Sequence, residues 1–416
     1  MNKVLTLTLT LLAAASGACL AQTAAPATVT LYGIADAGLS YTTGTNNKTQ
    51  LVSGIMEGSR FGLRGNEDIG GGWRALFTLE HRAELNTGAT SSKPQSGSQV
   101  PDRLNKAALL GLPGALQPAV AGVAASIGAT VGVNLANNFW DRQAYVGLVT
   151  PVGAVLAGRQ YTPAYEVQGA FDTMGTQSSL ALGQVASLPG GFDIRVSNAL
   201  QYRIQLGGVT ASAMYAFGSV AGNSKANRFG GAMAMYKAGN VTVGIGYNQR
   251  NNDLGLESLK SLAVGGSLAV GPGTVSALYG QIKDDNPSGV STIAAGLTPL
   301  VGAGAAALVQ SAYTVALRQD ARLMHVGYRM TTGPNTFYVT YSSYNDRKPI
   351  NADVASYGVA YTYALSKRTD LNAVLTHFAN KGTGQAAPGQ AGFLGGVTTS
   401  AGTDSNNVAF GIRHRF

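Results

Sequence analysis

Apolar and polar residues alternate along this chain with a period of two, the pattern of a β-strand whose two faces meet different surroundings. The C-terminus is the clearest case. Val408, Phe410, Ile412, His414 and Phe416 fall on one face, and Ala409, Gly411, Arg413 and Arg415 on the other. In Trp73 to Leu85, Trp73, Ala75, Phe77 and Leu79 oppose Arg74, Thr78, Glu80 and Arg82. Asp193 to Gln205 sets Ile194, Val196, Leu200, Tyr202 and Ile204 against Asp193, Arg195, Ser197, Gln201 and Arg203, and Val209 to Phe217 and Val241 to Asn248 repeat the split. One face suits lipid and the other water.

The connections alternate between short and long. Asp68 to Gly72, Pro151 to Gly153, Leu206 to Gly208, Ala238 to Asn240, Gly271 to Gly273, Thr331 to Asn335 and Leu365 to Thr369 are tight turns. Asn86 to Asn138, Thr162 to Phe192, Asp284 to Ala312 and Asn380 to Thr403 are long. Short turns at one end and long loops at the other belong to transmembrane barrels, and spans of about 10 residues give roughly sixteen strands. The expected fold is all-β, one antiparallel sheet closed on itself, so that every backbone group is satisfied in hydrocarbon.

Two segments interrupt the alternation. Ala107 to Trp140 and Pro287 to Leu317 contain no charged residue. Their prolines, glycines and alanines argue against helical spans, which need about 20 strongly apolar residues, so both are expected to be large external loops, partly folded over the mouth or over a neighbouring subunit. Composition agrees with a barrel. Charged residues make up 12% of the chain, half the usual share of about 25%, Gly supplies 56 of 416 residues, and mean hydropathy is +0.08.

Residues 1–21 read as a secretory signal: Lys3, an apolar stretch from Val4 to Ala15, and the small-x-small ending Cys19-Leu20-Ala21. Acylation at Cys19 is the competing reading. Cleavage after Ala21 leaves residues 22–416 as one barrel domain without cysteine, and the loss of Lys3 takes the net charge from +9 to +8. Such a balance suits anionic headgroups or anionic solutes, and export argues against nucleic acid. Catalysis is not expected, because His81, His325, His377 and His414 fall on four different strands with no nucleophile elbow or zinc-binding pattern; a barrel hydrolase is the rival from that class. No cofactor or metal is called for, since Asp284-Asp285-Asn286 lacks the spacing of a calcium loop.

The chain resembles the trimeric general porins of Gram-negative outer membranes, of the beta-proteobacterial type. The resemblance rests on Val29-Thr30-Leu31-Tyr32-Gly33, Ser59-Arg60-Phe61-Gly62-Leu63-Arg64-Gly65, Arg142-Gln143-Ala144-Tyr145-Val146-Gly147-Leu148, Gly158-Arg159-Gln160-Tyr161-Thr162-Pro163 and the ending Gly411 to Phe416. It implies sixteen strands, a homotrimer in the outer membrane, passive diffusion of small hydrophilic solutes and ions, and a third loop, here Thr162 to Phe192, folded into the barrel as a constriction. It further implies wall arginines at Arg60, Arg142 and Arg195 facing loop acids at Asp172 and Glu166, with Arg64, Arg82, Arg159 and Arg203 as further candidates facing the interior. The usual Pro-Glu-Phe-Gly stretch of that loop is missing. The terminal aromatic Phe416 would serve recognition by the outer-membrane insertion machinery.

Independently of any family, guanidinium groups stay charged under cellular conditions, and several around a narrow aqueous opening attract anions. A second reading pairs Arg60 and Arg142 with Asp36 or Glu80 as structural ion pairs. A substrate-specific channel, shaped by the long loops, is the alternative to a general one.

Overall fold

The computed structural model describes residues 28–46, 49–88, 100–130, 139–186, 193–218, 220–389 and 396–416. The expected leader, 1–21, lies outside them. The wall is built from β1 (Thr28–Thr42), β2 (Thr49–Ser53), β3 (Arg60–Gly70), β4 (Trp73–Arg82), β5 (Gln143–Thr150), β6 (Gly153–Tyr161), β7 (Arg195–Leu206), β8 (Val209–Ala216), β9 (Phe229–Ala238) and β10 (Val241–Asn251). It continues through β11 (Glu257–Val270), β12 (Gly273–Asp284), β13 (Gln319–Thr332), β14 (Asn335–Asp346), β15 (Val354–Ala364) and β16 (Thr369–Asn380); after the short pair β17 (Ala386–Ala387) and β18 (Gly396–Val397), β19 (Ser405–Arg415) completes it.

Each wall strand pairs antiparallel with the next, and β19 pairs with β1 from Ile34↔Arg415 to Thr42↔Asn407, which closes the sheet. β1 pairs with β3 along its first half and with β2 along its second. β2 and β3 are therefore one interrupted wall strand, and the barrel has sixteen. Between them, residues 54–59 turn inward. The Asp36 carboxylate accepts the amides of Ile55, Met56 and Glu57 at 2.9, 2.9 and 2.7 Å, which holds the excursion in place.

The alternation read from the sequence sorts the two faces. On β10, Val243, Ile245 and Tyr247 are exposed outward, while Gly246 and Asn248 are buried inward. Four two-residue turns start with a glycine at positive φ, Gly207, Gly239, Gly271 and Gly333 at 54 to 57°, the conformation that matches a hairpin turn to the twist of its strands.

Inside the barrel, α3 (Pro163–Phe171) and the segment that follows pack on the inner face of β9 to β14. That face is unusually apolar. Leu259, Ala263, Leu278, Ile282 and Leu323 meet Val167, Phe171, Leu182 and Val185 of the loop in one core. Glycines let the loop come close: a Cβ at Gly265 would lie 2.5 Å from Phe171, and one at Gly246 2.8 Å from Ala164.

The two uncharged segments are partly helical. The first, described to Thr130 and again from Phe139, holds α2 (Gln117–Thr130), just after α1 (Asp102–Asn105); the second holds α4 (Ile293–Val301) and α5 (Ala303–Ala316). Among the described residues no helix is long and apolar enough to cross a membrane. Leu104, Val120, Leu297, Ala306, Val309 and Tyr313 form their common core.

Candidate functional site

β3 to β7 carry their arginines at the same ends of neighbouring strands, which the ladder registers bring together. Arg60, the first residue of β3, stands in register with Arg82, the last of β4. Arg142 immediately precedes β5, and Arg195 opens β7 opposite Tyr161 at the end of β6.

Tyr161 is the hub. Its hydroxyl accepts hydrogen bonds from Arg142 Nη2 and Arg195 Nη2, both at 2.9 Å, and the Arg195 guanidinium lies 4.5 Å from the ring centroid, a cation–π contact. Arg142 is fully buried, and its Nε donates to Glu80 Oε1 at 2.7 Å; Tyr32 donates to the other Glu80 oxygen at 3.2 Å. Of the pairings considered from the sequence, Arg142 with Glu80 is formed. Arg60 lies 3.8 Å from Glu57, on the inward excursion, and donates from Nε to the Gly58 carbonyl at 2.9 Å.

Arg82 and Arg159 complete the cluster through Asp141. Arg82 Nε lies 3.6 Å from Asp141 Oδ2, and Arg159 Nε donates to the Asp141 carbonyl at 2.7 Å. Arg159 lies where the β6–β7 ladder shifts register between Gly158 and Gln160, next to Gly158 with a φ of 132°. Burial pushes the Glu84 carboxyl, just past β4, up to about 7, with Arg82 opposing the shift.

The remaining candidates are spread out. Glu166 on α3 receives Arg203 Nη1 at 2.7 Å. Burial raises the Glu166 carboxyl above its usual range, against the pull of Arg203. Arg64 is exposed, 5.2 Å from the Tyr32 ring. Asp172 is buried within the inner loop. Its oxygens accept the Met174 and Leu182 amides at 2.8 Å, so it shapes its own loop, and burial raises its carboxyl as well. At the C-terminus, Phe416 exchanges backbone hydrogen bonds with Gly33 and remains half exposed.

Several participants were not singled out from the sequence. Glu57 is one: it also pairs with Arg413 at 3.0 Å and Arg415 at 2.7 Å, and both arginines pair with Asp370. The available signal was Gly54 and Gly58, which break the alternation on either side of Glu57. His325 is another. The Thr173 amide donates to its Nε2 at 3.0 Å, and its Nδ1 lies 2.8 Å from Ser342 Oγ, which ties the inner loop to β13 and β14. Asp172 Oδ1 lies 3.9 Å from the same imidazole. Serine, histidine and aspartate are thus together, yet all three are buried under the loop, where they hold it in place.

A family model described as Gram-negative porin matches residues 8–383. The chain is 26% identical over 423 residues to Outer membrane porin protein 32 of Delftia acidovorans, covering 97% of each. Among solved structures it is similar to an anion-selective porin from Comamonas acidovorans, with a TM-score of 0.64, 21% identity and 94% and 100% of the two chains covered. It is also similar to OmpT of Vibrio cholerae, with a TM-score of 0.56, 14% identity and 94% and 98% covered. At those identities the structural likenesses speak for the fold.

Proposed function

The chain belongs to the Gram-negative porin family of the outer membrane, and from that membership we propose that it forms a water-filled channel for passive diffusion of small hydrophilic solutes and ions, with a preference for anions. The observation that carries the preference is the gathering of Arg60, Arg82, Arg142, Arg159 and Arg195 around Tyr161, opposite the inward loop. Glu80 and Asp141 neutralise part of this charge, and the surplus is positive. Low-dielectric walls focus its field on the opening between wall and loop. Arg203 and Arg64 extend the basic strip along the interior, while Glu166 tempers it. The anion selectivity of the Comamonas porin agrees with this reading. The same reading has this chain assemble as a homotrimer whose barrels present apolar outer faces to lipid and to one another, with Phe416 as the terminal strand's mark for the insertion machinery.

Fold and family point to a channel and not to an enzyme. Reconstitution in planar bilayers under a KCl gradient tests the proposal. The expected result is stable conductance with a reversal potential on the anion side, which moves toward cations when Arg60 and Arg142 are replaced by Ser. Cation preference in the unaltered protein would overturn the selectivity, and absence of conductance would overturn the channel.

A further inference from the structure

The two uncharged segments take no part in the arginine cluster, yet they build a second structure at the loop end of the barrel. The first leaves the wall at β4. α1, at its near end, sits on the far side of the opening: buried Arg103 lies beside Tyr344 and Asp346 at the end of β14. Asp102 accepts the Ala401 amide at 3.2 Å, and its own amide donates to Gln385 Oε1 at 2.6 Å, both in the connection before β19. Six strand-to-strand steps separate β4 from β14 in a wall of sixteen, so α1 sits across the opening from the strand it follows.

α4 and α5 arrive from the connection between β12 and β13 and lock onto it. The Tyr313 hydroxyl lies 2.7 Å from the Leu104 carbonyl oxygen and 3.0 Å from that of Val120, and Tyr313 is fully buried. Lys348 fastens the end of α5 to the rim by donating to the Arg318 carbonyl at 2.7 Å. Helices satisfy their own backbone groups, so these helices form a cap with its own core at the loop end of the barrel.

We infer that the cap is the outer size filter of the channel, limiting which hydrophilic solutes reach the arginine cluster while leaving the choice of ionic sign to that cluster. The inference rests on the reading that the barrel conducts. Its physical basis is the combination of obstruction with neutrality: α2, α4 and α5 contain no charged residue, and Asp102 and Arg103 of α1 are buried. An element that carries no fixed charge discriminates by bulk, whereas charged linings discriminate by sign.

Tyr313→Ala opens the core of the cap. A second variant, with residues 293–316 replaced by a short Gly-Ser linker, removes α4 and α5 altogether and does not depend on how the point variant packs. Single-channel conductance and the swelling of proteoliposomes in a pentose, a disaccharide and a trisaccharide report size; the reversal potential under a KCl gradient reports sign. Conductance should rise roughly twofold and the largest sugar should enter, with the reversal potential unchanged. Unaltered conductance and size limit in the folded loop-replacement variant would overturn the filter while leaving the channel reading intact. A reversal potential that moves as far as in Arg60→Ser would overturn the division between size and sign. Absence of conductance in the unaltered protein would remove the channel reading and the filter together.

Discussion

The inner loop and the outer cap are both insertions between wall strands, and they obtain their cores in opposite ways. The inner loop borrows its core from the barrel: Phe171 and Leu182 are buried because Leu278, Ile282 and Leu323 replace polar residues on the inner face. The cap makes its own, from two segments far apart in the chain that meet at Tyr313. The loop is therefore rigidly coupled to the wall and to the arginines, and the cap is coupled mainly to itself. An element seated on a wall is hard to disturb without disturbing the wall. One with a private core is separable.

The largest effect should come from the seat of the loop. Phe171→Ala removes a fully buried aromatic and should cost about 3–5 kcal/mol of loop docking. Denaturant unfolding and conductance noise should both register it; a variant indistinguishable from the unaltered protein in both would mean that the loop does not depend on this contact. Leu104→Ala should cost about 2–4 kcal/mol within the cap. Limited proteolysis should then cut within 100–130 while the barrel transition stays put, and a shift of the barrel midpoint would show that the two regions are not separable.

Next comes the ion pair that links the strands beneath. Arg142→Ser leaves buried Glu80 without its guanidinium and should destabilise by about 1–3 kcal/mol. Adding Glu80→Gln should restore much of that loss, and strict additivity would show that the pair is not coupled.

A pH change separates the regions again. Glu166 takes up its proton above the ordinary value of about 4.3 because burial raises its carboxyl. Acidification from pH 7 to pH 4 therefore removes a negative charge from the interior while Arg203 keeps its positive one, and anion preference should increase. Glu166→Gln should show the higher preference already at pH 7 and lose that part of the pH dependence. Anion preference that falls on acidification in the unaltered protein would contradict the assignment of Glu166 to the conducting path. The smallest effect is expected for Arg64→Ser, within about 0.5 kcal/mol in stability because the side chain is exposed, with a slight loss of anion preference in the bilayer.

Much of this was legible beforehand. Period-two alternation located the strands, and Gly-containing turns located the short end. Lone arginines on polar faces marked the strands that carry the cluster. The inward turn of residues 54–59 was harder to see, because the interaction that creates it is the Asp36 carboxylate on another strand. The acid at Asp172 reads in the sequence as a charge facing the wall, and its oxygens also accept backbone amides of its own loop, a local contact that the alternation does not display. Arg159 was legible as an interior candidate, but the ladder irregularity beside it was not.

By itself the sequence determined the barrel, its outward apolar and inward polar faces, and the presence of two neutral segments, because alternation and turn chemistry are local properties of the chain. Only the tertiary structure decided which arginines meet at Tyr161, which carboxylates neutralise them, and that residues near 104 and 313 share a core. Those outcomes depend on register between distant strands and on side chains brought together across the barrel mouth, and a shift of one residue in the ladder would send each to the opposite face.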